Sequence, residues 1–363
     1  MPGYELSAKF WSRSEPFRLE RGGELPGLRL AYETWGAHAK GDNAVVVLHA
    51  LSGSSHAFQS SQNPLPGWWE GLLAAGSPFR LERHHLICSN LLGGCYGSTG
   101  PSSHCPATGR PYGAAFPPVT TGDMIEAHRL LLQGLGVRGR VTLIGGSLGG
   151  MLALEWAVRY PDEVRAAISI VAPGRSAPQA IALRAVQREA VLNDPDWNGG
   201  DCYNGAFPTR GLSLARKIGM ITYRSADEFD ARFHRDERDP RPHFLEGSFE
   251  VQSYLDHQGK KFSERFDPNT YLYFSRAMDL YDLSKGHASL EEAVAGVQAK
   301  VLLLAVDSDI LVRSKEVEDL HHALCAAGKR SRYALIHSIH GHDSFLIEMD
   351  QIRAQLTSFF DDA

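Results

Sequence analysis

The 363-residue chain lacks most of what would mark a specialised class of protein. It has five cysteines, Cys88, Cys95, Cys105, Cys202 and Cys325. An odd count without C-x-x-C spacing excludes a fully paired disulfide framework and a thiolate metal centre. The N-terminal stretch MPGYELSAKFWSRSEPFRLERGG has no apolar core of the signal-peptide kind. Both absences predict a reducing, cytoplasmic setting. No apolar run approaches the roughly 18 residues that a membrane helix needs, so no membrane partner is expected. Charge of neither sign is in excess, with 37 Lys and Arg against 42 Asp and Glu. The net charge of −5 excludes the basic surface that a nucleic-acid partner would demand. The 16 histidines are scattered and form no H-E-x-x-H pattern, so no metal is expected. The cluster 232-RFHRDERDPRPH-243 mixes both signs and reads as a solvated loop.

What is present is an alternation. Apolar, β-branched runs at 27–36, 43–51, 84–92, 140–146, 164–172, 299–306 and 332–338 read as strands. Helical periodicity lies at 120–136, after residue 147, at 314–328 and at 343–360. Continuous apolar strands alternating with helices predict an α/β fold: a mostly parallel sheet covered on both faces, with the earliest strands as an antiparallel edge. The alternation pauses from about Arg175 to Ala295, where Tyr- and Arg-rich helical segments such as 181–192 and 214–225 predict an inserted lid. The expected organisation is a core of 1–174 and 296–363 with a helical lid of 175–295.

The stretch 140-RVTLIGGSLGGMLALEWAVRYP-161 places one serine between glycines where a strand meets a helix. Small flanking residues permit a sharp turn that lifts Ser147 as a nucleophile, with Gly145 and Gly149 in the glycine positions of G-x-S-x-G. A serine hydroxyl needs a base within hydrogen-bond reach, and that base needs an orienting group. On this fold the order is Ser, acid, His. Strand 299–306 runs into Asp307-Ser308-Asp309, and 340-HGHDSFLIE-348 follows the last strand. Asp309 and His342 are the candidate acid and base, with Asp307 and His340 as rivals. The loop 49-HALSGSSHA-57 can bend over the site, and the backbone N–H groups of Leu51 and Leu148 are the candidate oxyanion donors.

These residues, with others, resemble the homoserine O-acyltransferases of the α/β-hydrolase superfamily. The stretches that carry the likeness are 49-HALSGSSHA-57, 91-LLGGCYGSTGPSS-103, 106-PATGRPYG-113, 145-GGSLGGM-151, 215-ARKIGMITYRS-225, 270-TYLYFSRAMDLYDL-283, 307-DSDILV-312 and 341-GHDSFLIE-348. The resemblance implies an α/β-hydrolase fold and a ping-pong reaction. Ser147 would take an acyl group from acyl-CoA, a co-substrate with no permanently bound cofactor, and pass it to the hydroxyl of a small amino acid. It favours Asp309 and His342 over their rivals. It also implies that Arg216, Tyr223 and Asp343 bind the acceptor, Arg216 clamping a carboxylate and Asp343 an ammonium. The plainer readings are a surface lid arginine and a helix cap. The family is commonly a homodimer joined through its lid helices.

The acyl group is less clearly marked. Relatives that use succinyl-CoA commonly carry Arg two residues after the triad acid, where this chain has Leu311. That points to acetyl-CoA and L-homoserine. Arg184, which precedes the expected Arg188, matches an extra arginine of serine O-succinyltransferases and could receive a succinyl carboxylate, or simply pair with an acid. The Gly-Gly-Ser elbow resembles acetyltransferases more than the Gly-Asn-Ser of those enzymes. Serine or succinyl transfer, and simple ester or thioester hydrolysis, are the alternatives. Cys95 is expected to be a small loop residue near the acyl site, Asp196-Trp197 a turn with an aromatic anchor, and Trp68-Trp69 a pair packing a helix onto the core.

Overall fold

The computed structural model describes residues 8–38, 41–239 and 247–361, so residues 240–243 of the mixed-charge cluster lie outside the described residues. One sheet holds eight strands: β1 (Lys9–Arg13), β2 (Leu28–Gly36), β3 (Ala44–Leu48), β4 (His85–Ser89), β5 (Val141–Gly146), β6 (Val164–Ile170), β7 (Lys300–Val306) and β8 (Ser331–Ile336). Their spatial order is β1-β2-β4-β3-β5-β6-β7-β8. Neighbours from β4 to β8 pair in parallel, while β2 is antiparallel to both β1 and β4. The antiparallel edge therefore includes a strand, β1, that the sequence did not announce. Its residues KFWSR are exposed or half-buried and carry no apolar run.

The helices, in chain order, are α1 (Thr121–Gly134), α2 (Leu148–Arg159), α3 (Pro178–Leu192), α4 (Thr209–Tyr223), α5 (Ala226–Phe233) and α6 (Glu250–Ser263). They continue with α7 (Pro268–Leu280), α8 (Leu290–Val294), α9 (Ser314–Ala326), α10 (Ser344–Ile347) and α11 (Met349–Asp361). Strand β3 (AVVVL) is apolar at every position, and β7 is apolar after Lys300, because both faces of the sheet are covered. Along β7, Val301, Leu303 and Ala305 enter one core, and Leu302, Leu304 and Val306 enter the other. The first core takes residues from α1, α2 and α9; the second takes Ile352, Leu356 and Phe359 of α11. Each buried Val, Leu, Ile or Phe side chain among them contributes on the order of 1.5–3 kcal/mol.

Between β6 and β7 the chain leaves the sheet for α3 to α7. The stems of this excursion are tied together: Ser176 N–H donates to the Tyr281 carbonyl at 3.1 Å and Leu283 N–H to the Gly174 carbonyl at 2.9 Å. Within it α4 packs on α3 and α6, and α3 on α7. Helix α8, placed by the sequence reading in the lid, packs instead against α9. The helix expected over 343–360 is broken at Glu348 (φ −81°, ψ 48°) into α10 and α11.

Candidate active site

A single residue joins β5 to α2. Ser147 makes that turn at φ 54° and ψ −120°, a conformation L side chains rarely adopt. The glycines around it are set by contact. A Cβ on Gly149 would lie 1.9 Å from the Leu48 carbonyl oxygen, and one on Gly145 would lie 2.4 Å from the Gly149 carbonyl carbon. Gly146 faces Phe345, whose ring a Cβ would meet at 2.3 Å. The elbow thus packs the end of β3, the start of α2 and the segment after His342 against one another.

Ser147 Oγ lies 2.8 Å from His342 Nε2, and His342 Nδ1 lies 2.6 Å from Asp309 Oδ2. The other Asp309 oxygen accepts the N–H groups of Leu311 (2.8 Å) and Val312 (3.0 Å), which fixes the carboxylate. All three side chains are buried. Burial alone would depress the His342 imidazole; the charge and hydrogen bond of Asp309, with Asp343 beyond, outweigh it, and the net shift is upward. An imidazole held in this way can take a proton from a hydroxyl and return it to a leaving group. The rivals face elsewhere. Asp307 accepts from Ser338 N–H and pairs with His337 at 2.8 Å, and His340 Nδ1 lies 3.3 Å from Glu228.

The loop after β3 is anchored by a residue whose part the sequence reading missed. His49 is fully buried, and its Nε2 accepts the Leu91 N–H at 3.1 Å. That acceptor role leaves the proton on Nδ1, which donates to the Ala50 carbonyl at 2.7 Å. Burial holds this imidazole down, at a pKa of about 4, so it stays neutral. The Ala50 carbonyl and the Leu51 N–H belong to one peptide plane, so the bond from His49 also fixes the direction of the Leu51 N–H. Leu51 lines the cavity over Ser147, and Leu148 opens α2 beside it.

That cavity, about 210 Å³, brings together Ser147, His342, Arg216, Tyr223, Asp343, Arg184 and Leu311. Arg216 projects from α4 with its guanidinium 5.0 Å from the centre of the Phe262 ring, and its buried Nε has no hydrogen-bond partner. Across from it, Asp343 Oδ2 lies 3.1 Å from Arg224 Nη2. Asp343 stands before α10 but makes no capping bond, so the cap reading fails. Burial raises its carboxyl above the ordinary range, against the pull of Arg224, Arg216 and His342. Burial likewise raises the Tyr223 phenol, which stays a neutral donor 6.0 Å from the His342 ring centre. Arg184 lines the cavity but is already engaged: Nε meets Asp279 at 2.7 Å and Nη2 donates to Ser176 Oγ at 2.9 Å. Leu311 presents an apolar side chain, held by the same turn that orients Asp309.

Three smaller expectations are corrected or completed. Trp69 is the packing residue of its pair, donating from Nε1 to the Phe345 carbonyl at 2.9 Å, whereas Trp68 forms cavity wall. Cys95 does not line the cavity, and burial pushes its thiol up to about 12. Trp197 does anchor its turn, donating to Asn269 at 2.9 Å. The sequence also gave no sign of Gln187 or Arg265 in the wall. Arg265 donates to the Tyr96 hydroxyl at 2.8 Å and to the Ser52 carbonyl at 3.3 Å, tying the lid to the loop that carries Leu51. Among the described residues no group of three or more His, Cys, Asp or Glu could hold a metal ion, and no helix is long and apolar enough to cross a membrane.

Comparison with known proteins matches this geometry to an existing lineage. Residues 43–345 match the family model described as the alpha/beta hydrolase fold. The chain is 45% identical over 358 residues to the homoserine O-acetyltransferase of Moorella thermoacetica, covering 98% of this chain and 96% of that one. It is 46% identical to the enzyme of that name from Symbiobacterium thermophilum, covering 97% and 94%. Among solved structures, the homoserine O-acetyltransferase of Bacillus anthracis superposes with a TM-score of 0.89 at 26% identity, over 97% of each chain.

Proposed function

Because the chain belongs to the homoserine O-acetyltransferase family of the α/β-hydrolase fold, we propose that it moves an acetyl group from acetyl-CoA to the hydroxyl of L-homoserine, a step toward methionine. Ser147 Oγ attacks the thioester carbonyl while His342 takes its proton. The Leu51 and Leu148 N–H groups receive the oxyanion. Collapse expels the CoA sulfur, which leaves with the proton from His342, and the acetyl group stays on Ser147. The homoserine hydroxyl then gives its proton to His342 and attacks the acetyl carbon. Collapse of the second intermediate returns that proton to Ser147 and frees O-acetylhomoserine.

The single observation that carries this reading is the buried, partnerless Nε of Arg216 in the same cavity as the triad. An unpaired buried guanidinium nitrogen is costly, and an acceptor carboxylate supplies what it lacks. Asp343 offers the opposite charge for the acceptor ammonium, and Tyr223 adds a hydroxyl between them. A pocket for a plain ester would need neither charge. The acetyl assignment draws on Leu311, which is apolar where a succinyl tail would need a cation, and on Arg184, whose Nε and Nη2 are already bonded. Gly146 agrees: an asparagine there would have to displace Phe345 from the cavity wall. The reading extends to a cytoplasmic homodimer joined through the lid, where α3 exposes Val186 and Leu192 and α4 exposes Leu214 and Ile221.

CoA release tests the proposal when acetyl-CoA and succinyl-CoA are each paired with L-homoserine and L-serine, alongside donor-only controls. Acceptor-dependent release is expected for acetyl-CoA with homoserine. Release needing no acceptor would make the protein a thioesterase, and a succinyl-CoA preference would return Arg184 to the acyl site. In the same assay Arg216→Lys should raise the homoserine KM by about 10- to 100-fold, because an ammonium cannot reproduce the bidentate fork. Acetyl-enzyme formation from acetyl-CoA alone should be unaltered; an unchanged KM would remove Arg216 from the acceptor site.

A further inference from the structure

Arg224 stands directly behind the acceptor site and reaches two carboxylates at once. Its Nη1 meets Glu228 Oε1 at 2.6 Å, and its Nη2 meets Asp343 Oδ2 at 3.1 Å. Glu228 is buried at 5% exposure on α5, in a position set by the helix start, where Ser225 Oγ accepts its N–H at 3.1 Å. It touches neither Ser147 nor His342 and does not line the cavity. Keeping an ionised glutamate so deeply buried is costly without compensation, so its place beside Arg224 calls for a reason.

Counting charge supplies one. If Asp343 and Arg224 stood alone, they would neutralise each other, and a substrate ammonium would find little charge to bind. With Glu228 present, one guanidinium is shared between two carboxylates, so the group carries one uncompensated negative charge. Two other bases face Glu228. Arg232, at 3.7 Å, is half-exposed and screened by water; His340 Nδ1, at 3.3 Å, makes no hydrogen bond. Arg224 meets Asp343 at Oδ2, and Asp343 lines the cavity. The residual charge of this cluster and the positive charge of Arg216 then match an acceptor carrying one ammonium and one carboxylate.

We infer that Glu228 is a positioning residue for acceptor specificity: by occupying Arg224 from behind, it leaves the negative charge at Asp343 uncompensated toward the cavity and so selects hydroxy acids that bear an ammonium group. This rests on the reading of Asp343 as the ammonium partner. The Glu228 charge raises the Asp343 carboxyl while Arg224 lowers it, so the two act on it in opposite directions and Glu228 offsets part of the neutralising field of Arg224.

The test is a ratio. With acetyl-CoA as donor, kcat/KM is measured for L-homoserine and for 4-hydroxybutyrate, which has the same hydroxyl and carboxylate but no ammonium. Glu228→Gln should lower the homoserine preference about tenfold or more, through the homoserine KM. The burst of CoA release without acceptor should stay at the wild-type rate. Glu228→Asp, which keeps the charge, should retain most of the preference and covers the case in which the Gln variant folds poorly. A general packing defect would depress both acceptors together and leave the ratio intact. An unchanged ratio in Glu228→Gln overturns the inference, as does a ratio lost equally in Glu228→Asp. If the wild-type protein shows no preference for homoserine at all, the assignment of Asp343 falls first.

Discussion

Ser147→Ala is expected to lower kcat for acetyl transfer by about 10⁵- to 10⁶-fold, the loss typical of a nucleophile that acts as one unit with its base. The geometry gives the reason. Ser147 Oγ lies within hydrogen-bond reach of His342 Nε2, at 2.8 Å, so the imidazole can activate it without rearrangement of the elbow. Adding His342→Ala to the Ser147 variant should cost little more, because neither group works without the other. CoA release and product formation, followed together, provide the check; turnover within a hundredfold of wild type would remove Ser147 from the reaction.

The same position carries a stability prediction of opposite sign. A non-glycine residue at φ 54° stores on the order of 1–3 kcal/mol, which Ser147→Ala retains and Ser147→Gly releases. Glycine gives back roughly 0.5–1 kcal/mol through the freedom of the unfolded chain. The Gly variant should therefore melt above the Ala variant by about 1 kcal/mol of stability, while both are inactive. Equal melting temperatures would mean that the elbow is relaxed.

Asp309→Asn should lower kcat by about 10⁴-fold while leaving the fold in place. One Asp309 oxygen is committed to the Leu311 and Val312 N–H groups, so an asparagine keeps its carbonyl there and turns its amide N–H toward His342 Nδ1. The ring proton must then move to Nε2, where it blocks acceptance of the Ser147 proton. The pH profile gives an independent signature. In the wild type His342 is raised above its ordinary value, and the base works only when neutral, so activity falls as pH drops through that raised value. Without the carboxylate, burial dominates, and the acid limb of the residual activity should move to lower pH. Asp307→Asn is the control. Its carboxylate faces Ser338 and His337 on the far side of the turn, and its loss should change kcat by less than about threefold. A larger loss in Asp307→Asn than in Asp309→Asn would reverse the assignment.

Much of this was legible in the sequence because each signal is local. The sheet strands betray themselves by unbroken apolar runs, since both faces of the sheet are covered. The elbow shows as glycines flanking a serine, and the candidate acid and base stand just past strand ends, where an open sheet presents its ligands. The exceptions also have physical causes. Strand β1 is half-exposed at the edge of the sheet and is recruited by pairing with β2 rather than by an apolar pattern. The break at Glu348 lies inside a stretch with good helical periodicity, and nothing in its local pattern announces it.

The choice between Asp307 and Asp309 is of another kind. Both residues sit in one short turn, and only the direction of the Leu311 and Val312 N–H groups separates them. Likewise nothing in the pattern of α5 marks Glu228, which matters through Arg224, four residues before it, and through Asp343, which the fold brings against that arginine. His49 anchors its loop through Leu91, 42 residues away. By itself the sequence determined the layering of the fold, the serine elbow and the family, because those depend on periodicity and on contiguous motifs. Only the tertiary structure decided which carboxylate serves the histidine, which arginines remain available to a ligand and how charge is shared behind the pocket. Those properties belong to pairs of side chains far apart in the chain, and their partners exist only once the lid has closed over the sheet.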